Sequence, residues 1–223
     1  MLWRQLLREW RSGEIQLLAV ALLLAVAIVS GVSGFTDRLH RGIVAESNRF
    51  LAADRVLQSP RPVPAEWLEQ ARAMGLRTAT TADFQSMLFA GEGLQLSSVK
   101  AVTDSYPLKG DMKVASEPFA ESRITDSVPS PGSLWLAPRL LPLLELAVGD
   151  EVELGVKRFR VEQLIVDEPD RGAASLGISP RVMMNWADLE ASGVVQPGSR
   201  VRYRYLFAGD ERRLQELEAW LKP

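Results

Sequence analysis

Few side chains in this sequence could carry out acid–base or nucleophilic chemistry. The chain has no cysteine and a single histidine, His40, which excludes disulfides, thiolate metal sites and cysteine nucleophiles. A serine–histidine–aspartate triad would have to be built around His40, just beyond a long apolar segment, where a substrate cleft is not expected. No Gly-x-Ser-x-Gly elbow occurs, since Ser33 lies within the apolar segment in a different pattern. We therefore predict no catalytic residue.

One acidic stretch contains candidate ligands for a hard cation, namely Glu162, Asp167, Glu168 and Asp170. Their spacing does not match an EF-hand loop, so we interpret them as the solvated end of a strand. The glycines of residues 91–93 are typical of a hairpin turn, because no helix follows them to form a phosphate cradle, and there is no Walker A motif. The sequence thus predicts no metal site, no cofactor site and no enzymatic activity, and it assigns no ligand-binding residue.

The composition is that of a folded protein without affinity for nucleic acid. Hydrophobic residues make up 47% and charged residues 24% of the 223 residues, which are ordinary values for globular chains and exclude extensive disorder. Lys and Arg total 26, against 28 for Asp and Glu. Without a basic excess, we expect no nucleic-acid partner.

An uncharged segment near the N-terminus divides the chain. No charged residue occurs between Glu14 and Asp37, and residues 15–36 are long enough to cross a bilayer core as a helix. A cleaved signal peptide is the alternative, but Glu9 in the leader and the lack of an Ala-x-Ala site favour a retained anchor. Because Lys and Arg mark the cytoplasmic side, the basic leader predicts a single-pass protein of the inner membrane. Residues 37–223 would then lie in the periplasm of a Gram-negative cell.

Residues 1–14 are predicted to form an amphipathic helix in the headgroup layer of the lipid bilayer. Leucines and tryptophans recur at three- and four-residue spacing, and the arginines fall on the other side, as in helices that lie in the membrane interface. The predicted membrane-interface residues are Trp3, Arg4, Arg8, Trp10 and Arg11.

Beyond the anchor, the pattern alternates between helices and strands, which indicates an α+β fold. Residues 37–53 are predicted to continue the membrane helix as a stalk, because no proline interrupts the junction. The stretch 106–131 is interpreted as the crossing into a second lobe around residues 107–180. Predicted strands cover residues 53–58, 78–90, 94–102, 133–136, 151–154, 158–167, 182–184 and 200–207. One predicted helix begins at Pro64. Three others cover residues 137–146, 186–192 and 211–221.

Several motifs of the predicted domain point to a known family. They are Tyr106-Pro107-Leu108-Lys109-Gly110, the runs 133–141 and 146–154, Val166-Asp167-Glu168-Pro169-Asp170, the run 179–185 and the run 196–201. The first four resemble the N-terminal part of permease subunits in the FtsX/MacB/LolC superfamily of ABC transporters, with its MacB-like periplasmic core domain. The last two, and the leader, are most similar to the YbbP type.

The resemblance implies a two-lobed mixed α/β periplasmic domain behind one transmembrane helix. It also implies that ATP is bound by a separate cytoplasmic ABC ATPase, whose motion the permease transmits to the periplasmic domain. YbbP-type systems suggest export or extraction of hydrophobic or lipid-like compounds and a periplasmic esterase-like or accessory partner. Because such permeases approach another membrane helix where this sequence reaches residue 223, we expect an N-terminal fragment. A stand-alone membrane-tethered binding or scaffolding domain is the alternative.

Overall fold

The computed structural model describes residues 20–28, 30–31, 52–170, 179–196 and 198–221. The chain divides into two compact units, residues 1–47 and residues 48–223. In the first unit, residues 20–28 and 30–31 are helical with exposed apolar side chains. Within the described ranges, no helix is both long enough and apolar enough to cross a membrane.

The membrane-related predictions fall largely outside the described residues. The interfacial helix 1–14, with Trp3, Arg4, Arg8, Trp10 and Arg11, lies wholly outside them, and so does His40. The predicted transmembrane helix 15–36 is described only at residues 20–28 and 30–31, and the predicted stalk only at residues 52–53. Residues 52–53 form a turn in which Ala52 has φ of 56°, so the prediction that the stalk helix extends to residue 53 was wrong, and the other interpretations stay predictions.

The second unit contains ten described strands and three α-helices. The strands are β1 Arg55–Ser59, β2 Arg77–Ala90, β3 Gly93–Val102, β4 Met112–Ala115, β5 Arg123–Thr125, β6 Ser133–Leu136, β7 Glu151–Leu154, β8 Lys157–Asp167, β9 Arg181–Asn185 and β10 Arg202–Ala208. The helices are α1 Ala65–Ala73, α2 Leu140–Leu144 and α3 Glu211–Leu221, with a 3₁₀ turn at Trp186–Asp188. This mixed content confirms the predicted α+β class.

The described strands belong to a single sheet in which part of the pairing closes on itself. The strand order is β1-β10-β2-β3-β9-β6-β8-β4-β5, and β7 joins β2 to β8. Six strands (β2, β3, β9, β6, β8 and β7) therefore form a closed ring of hydrogen-bonded neighbours. The pairs β3–β9 and β6–β8 are parallel, and the other described pairs are antiparallel. Closure leaves these six strands no free edge within the ring.

Alternation along the central strands fills an apolar core on each face of the sheet. In β9, Val182 and Met184 belong to the larger core, whereas Met183 belongs to the smaller one. In β6, Leu134 packs in the larger core and Trp135 in the smaller one. Since successive strand residues point to opposite faces, both strands are apolar throughout because both of their faces are buried. Helices α1, α2 and α3 each contribute buried residues to the larger core.

Most predicted elements are present, with differences where local conformation ends a helix early. The predicted helix 137–146 is reduced to α2, because Glu145 adopts a left-handed backbone with φ of 53°. The predicted helix 186–192 is a single 3₁₀ turn. The crossing 106–131 contains β4 and β5, which the sequence analysis missed. The strands predicted for a second lobe pair into the same sheet as the rest, so no break in the sheet marks that lobe.

Two glycines have a left-handed backbone, and they differ in whether a side chain at that position would clash with its surroundings. Gly155, between β7 and β8, has φ of +64°, and a Cβ there would lie 2.0 Å from the carbonyl oxygen of Ser192. Gly91, in the β2–β3 turn, has φ of +55° and no heavy atom within 4 Å of such a Cβ. Gly91→Ala should cost about 1 kcal/mol of unfolding free energy through backbone strain alone. Gly155→Ala should cost about 3 kcal/mol, because it must also displace backbone. Urea unfolding of both variants tests this, and equal losses would contradict the tight approach at Ser192.

Candidate functional site

A cluster of buried charges lies on the sheet face that carries the smaller core. We call it the buried ionic network. Its members come from strands β2, β3, β9 and β10 and from the segments that follow β3 and β8. They are Asp83, Lys100, Tyr106, Glu168, Asp170, Arg181 and Arg204.

Strand register brings these residues together. Lys100 follows Val99 and precedes Ala101, both of which face the larger core, so its own side chain points to the opposite face. The antiparallel pairing of β2 with β3 sets Asp83 opposite Lys100. The parallel pairing of β3 with β9 sets Arg181 opposite Ser98. These positions are far apart in sequence, and sheet formation alone makes them neighbours.

The Lys100 ammonium is at the centre of the network and is fully buried. Its Nζ donates to Glu168 Oε2 at 2.9 Å, to Asp170 Oδ1 at 2.5 Å and to the Tyr106 hydroxyl at 3.1 Å. The same Nζ lies 5.0 Å from the centroid of the Tyr106 ring. An ammonium has three donors, and all of them are satisfied, which makes the burial of this charge tolerable.

Two arginines complete the charge balance. Arg181 donates from Nε to Glu168 Oε1 at 2.6 Å, and from Nη1 to Asp83 Oδ1 at 3.1 Å and to Ser98 Oγ at 3.0 Å. Arg204 Nη1 donates to Asp170 Oδ2, and the Tyr106 hydroxyl donates to Asp170 Oδ1. Three cations thus face three carboxylates.

The electrostatics favour the charged forms of Glu168, Asp170 and Lys100 and the neutral form of Tyr106. Burial alone would raise the pKa of Glu168, but Lys100 and Arg181 outweigh it, so the pKa lies below its usual range. Burial is likewise outweighed for Asp170 by Lys100 and Arg204, which lower its pKa. For Lys100, burial opposes the charge, but Asp170 and Glu168 raise the pKa above its ordinary value. Burial and the Asp170 charge raise the pKa of Tyr106 well above its usual range. These four pKa directions all lead away from pH 7, so the four groups are expected to keep one protonation state there.

The interpretation of the acidic stretch as a solvated strand end was wrong for two of its four residues. Glu168 and Asp170 are buried in the network. Glu162 instead accepts hydrogen bonds from Ser133 Oγ at 2.8 Å and Trp135 Nε1 at 3.0 Å, while Asp167 is exposed. Among the described residues, no group of His, Cys, Asp or Glu is arranged to hold a metal ion. The sequence feature that could have indicated this burial is Lys100, a lysine flanked by apolar residues in the run 99–102. A buried lysine requires buried carboxylates to balance its charge.

An open cleft adjoins the outer end of the network. Its volume is about 780 Å³. Asp83, Ser98 and Arg181 line it on the side of the network. Arg202, the first residue of β10, and Arg200, two residues before it, line the other side. The remaining walls include apolar groups, among them Phe84, Val194 and Val201. None of these positions was predicted from the sequence to bind a ligand.

Replacing Lys100 by methionine should destabilise the protein by about 3–5 kcal/mol, because it leaves two buried carboxylates without their central partner. Lys109→Met is the matched control. Lys109 pairs with Asp54, but its side chain is 42% exposed, so its loss should cost about 1 kcal/mol or less. Urea unfolding of the two variants measures both values. Equal effects would show that burial of the Lys100 charge has no special weight.

Acid should weaken the network, and base should not do so until the lysine titrates. The folded-state pKa values of Glu168 and Asp170 are lowered, so their stabilisation is complete above about pH 5 and is lost as the pH falls through and below about 4. The pKa of Lys100 is raised, so its contribution is lost only above about pH 10.

The test is the unfolding free energy measured between pH 7 and pH 3. Glu168→Gln should flatten the acid slope relative to the unmodified chain. Glu153→Gln removes an exposed carboxylate paired with Arg158 and should leave the slope unchanged. An unchanged slope in Glu168→Gln would contradict the lowered pKa of this carboxyl.

Comparison with known proteins shows similarity to an ABC transporter permease. The chain is 42% identical over all 223 residues to the "Uncharacterized ABC transporter permease YbbP" of Escherichia coli (strain K12), and it covers 27% of that protein. The chain therefore spans about a quarter of the length of this relative. No family model matches the chain.

Solved structures show the same fold. The extracellular domain of the noncanonic ABC-type transporter YknZ from Gram-positive bacteria matches with a TM-score of 0.50 and 10% identity, covering 73% of this chain and 86% of that one. The periplasmic region of MacB from Actinobacillus actinomycetemcomitans matches with a TM-score of 0.50 and 13% identity, covering 79% and 86%. The chain is therefore similar over its whole length to part of the ABC transporter permease YbbP, and it shares its fold with the periplasmic region of MacB.

Proposed function

We propose that this chain is the N-terminal part of a permease subunit that transmits the ATP-driven motion of a separate cytoplasmic ABC ATPase to a periplasmic domain. The observation that carries the proposal is the 42% identity to a permease along all 223 residues. Residues 15–36 would cross the inner membrane once in this part of the protein, and residues 48–223 would lie in the periplasm. The MacB-like fold supports this placement.

The way in which the chain enters the folded unit supports transmission of motion. Ala52 is fully buried, and its carbonyl oxygen accepts from the backbone N–H groups of Leu108 at 3.1 Å and Lys109 at 2.9 Å. Asp54 forms an ion pair with Lys109 and a backbone hydrogen bond to Phe207 at 3.0 Å. A displacement applied to the residues before Ala52 would therefore be imposed on the unit as a whole.

Arg55 extends this attachment to the C-terminal helix. Its Nε donates to Glu218 Oε1 and its Nη2 to Glu211 Oε1, each at 2.6 Å. Both carboxylates belong to α3, so β1 is tied to this helix as well as to β10. Together with the closed ring of strands and the buried ionic network, these contacts favour movement of a rigid body over internal bending.

The cargo that this proposal favours is a hydrophobic or lipid-like compound, handled at the periplasmic face with an esterase-like or accessory partner. ATP would bind to the ATPase subunit, and no step of catalysis would fall to this chain. Its own residues would supply the membrane crossing, the fixed entry at Ala52 and the rigid periplasmic unit.

The test uses the full-length permease that contains this chain, expressed with its ATPase. Ile43→Pro should abolish ATP-dependent uptake of a lipophilic dye into everted membrane vesicles, because proline removes a helix hydrogen bond and costs about 3 kcal/mol or more in a helix interior. Ile43→Ala is compatible with the predicted helix 37–53 and should retain most of the uptake.

Expression and the melting curve of the periplasmic unit must match in the two variants. Undiminished uptake by Ile43→Pro would contradict transmission through residues 37–53. Uptake that does not require ATP would contradict the permease function and favour a tethered binding or scaffolding domain.

A further inference from the structure

From the cleft beside the buried ionic network, we propose a binding site for an organic anion that carries an apolar part, such as an alkyl phosphate or a fatty carboxylate. The site goes beyond transmission of motion, and only its interpretation as a cargo site rests on the proposed function. Arg200 and Arg202 would hold the anionic group, and the apolar walls would contact the rest of the ligand.

The first argument is the charge balance at the cleft. Asp83 is the acidic residue of the lining, and it is already neutralised by Arg181, whose Nη1 lies 3.1 Å from its Oδ1. Arg181 in turn pairs with Glu168 inside the network. Within the described part of the chain, Arg200 and Arg202 form no ion pair or hydrogen bond through their side chains. The cleft therefore carries two uncompensated positive charges.

The second argument is how the strand presents these charges. Arg202 and Arg204 are two residues apart on β10, so their side chains point to the same face of the sheet. Their respective partners on β2 are Asp83 and Thr81. Arg204 is buried and pairs with Asp170, whereas Arg202 is exposed in the cleft. Asp83 and Arg181, two members of the network, line the cleft together with the exposed Arg200 and Arg202. Low-dielectric walls around one sign of charge strengthen attraction for a ligand of the opposite sign, and planar guanidinium groups match carboxylate and phosphate oxygens.

The third argument concerns size and the apolar part of the ligand. A volume of about 780 Å³ is that of sites for organic molecules and far exceeds the need of a single inorganic ion. Phe84 and Val201 also line the cleft but are largely buried in the larger core, which leaves Val194 and Pro60 as its accessible apolar groups. Contact with these groups would release water from the apolar part of a ligand. An alkyl chain next to an anionic head therefore satisfies both halves of the lining.

Isothermal titration of the full 223-residue chain, held in phosphatidylcholine nanodiscs, tests the site. Three probes are used below their aggregation limits: octyl phosphate, inorganic phosphate and octanol. Octyl phosphate should bind at least about tenfold more tightly than either of the others, since only it offers both halves. Combining Arg200→Gln with Arg202→Gln should weaken its binding about tenfold or more, as expected for loss of charge-assisted hydrogen bonds.

Arg212→Gln is the matched control, because Arg212 is exposed on α3 and does not line the cleft. It should leave the affinity unchanged, and all variants should melt at the temperature of the unmodified chain. Equal affinity of the double variant and the unmodified chain would overturn the proposal. Equal affinity for inorganic and octyl phosphate would overturn the apolar half of the site. The assay contains no ATPase, so failure of binding and failure of the vesicle test are separate results.

Discussion

The folded unit of residues 48–223 depends on how it stabilises one buried charge, the ammonium group of Lys100. Lys100 lies in the middle of a strand whose neighbours are apolar, with no solvent to stabilise its charge. Removing such a charge from water costs several kcal/mol unless close partners of opposite sign replace the water. Glu168 and Asp170 are those partners, and each also engages an arginine from another strand. Each of these charges is stable only when the others are close to it. This requirement fixes the relative positions of strands β2, β3, β9 and β10 and of the segment after β8.

This requirement has a mechanical consequence. A sheet held only by apolar packing can repack when it is stressed, whereas buried charges with fixed directions resist any shift that separates them. The six-strand ring adds backbone hydrogen bonds that close on themselves. The chain enters this body at Ala52, where the backbone is buried and bonded on arrival. Resistance of this kind is what the proposed transmission of motion would require of the unit.

The same network shapes the adjoining surface. By neutralising Asp83 through Arg181, it removes the negative charge that would otherwise compensate Arg202, which lies opposite Asp83 in the register. The cleft is therefore basic, although the chain as a whole carries a formal net charge of −2. Overall charge describes the average behaviour of a surface, and a concave site depends on the few groups that line it.

The sequence by itself determined the elements whose causes are local. Alternation and turn residues predicted β6, β7 and α3 at their observed bounds, and the hairpin of β2 and β3 around Gly91 to within one residue. The motifs around Asp150 and Met183 carried a resemblance to ABC transporter permeases, and the 42% identity to the permease YbbP agrees with it. Short-range patterns are sufficient here because strand alternation, helix periodicity and turn chemistry all operate over a few residues.

Only the tertiary structure decided which distant residues meet. Glu168 and Asp170 were interpreted as solvated because nothing in their own segment reveals that Lys100, about seventy positions earlier, points at them. The strands β4 and β5 pair with each other inside the stretch that was interpreted as a crossing, but this pair joins the sheet through β8, which lies outside that stretch. The seven members of the network and the arginines of the cleft acquire their roles from register and from the closure of the ring. Strand pairing is a long-range property, and the residues that it brings together carry no sign of each other in the sequence.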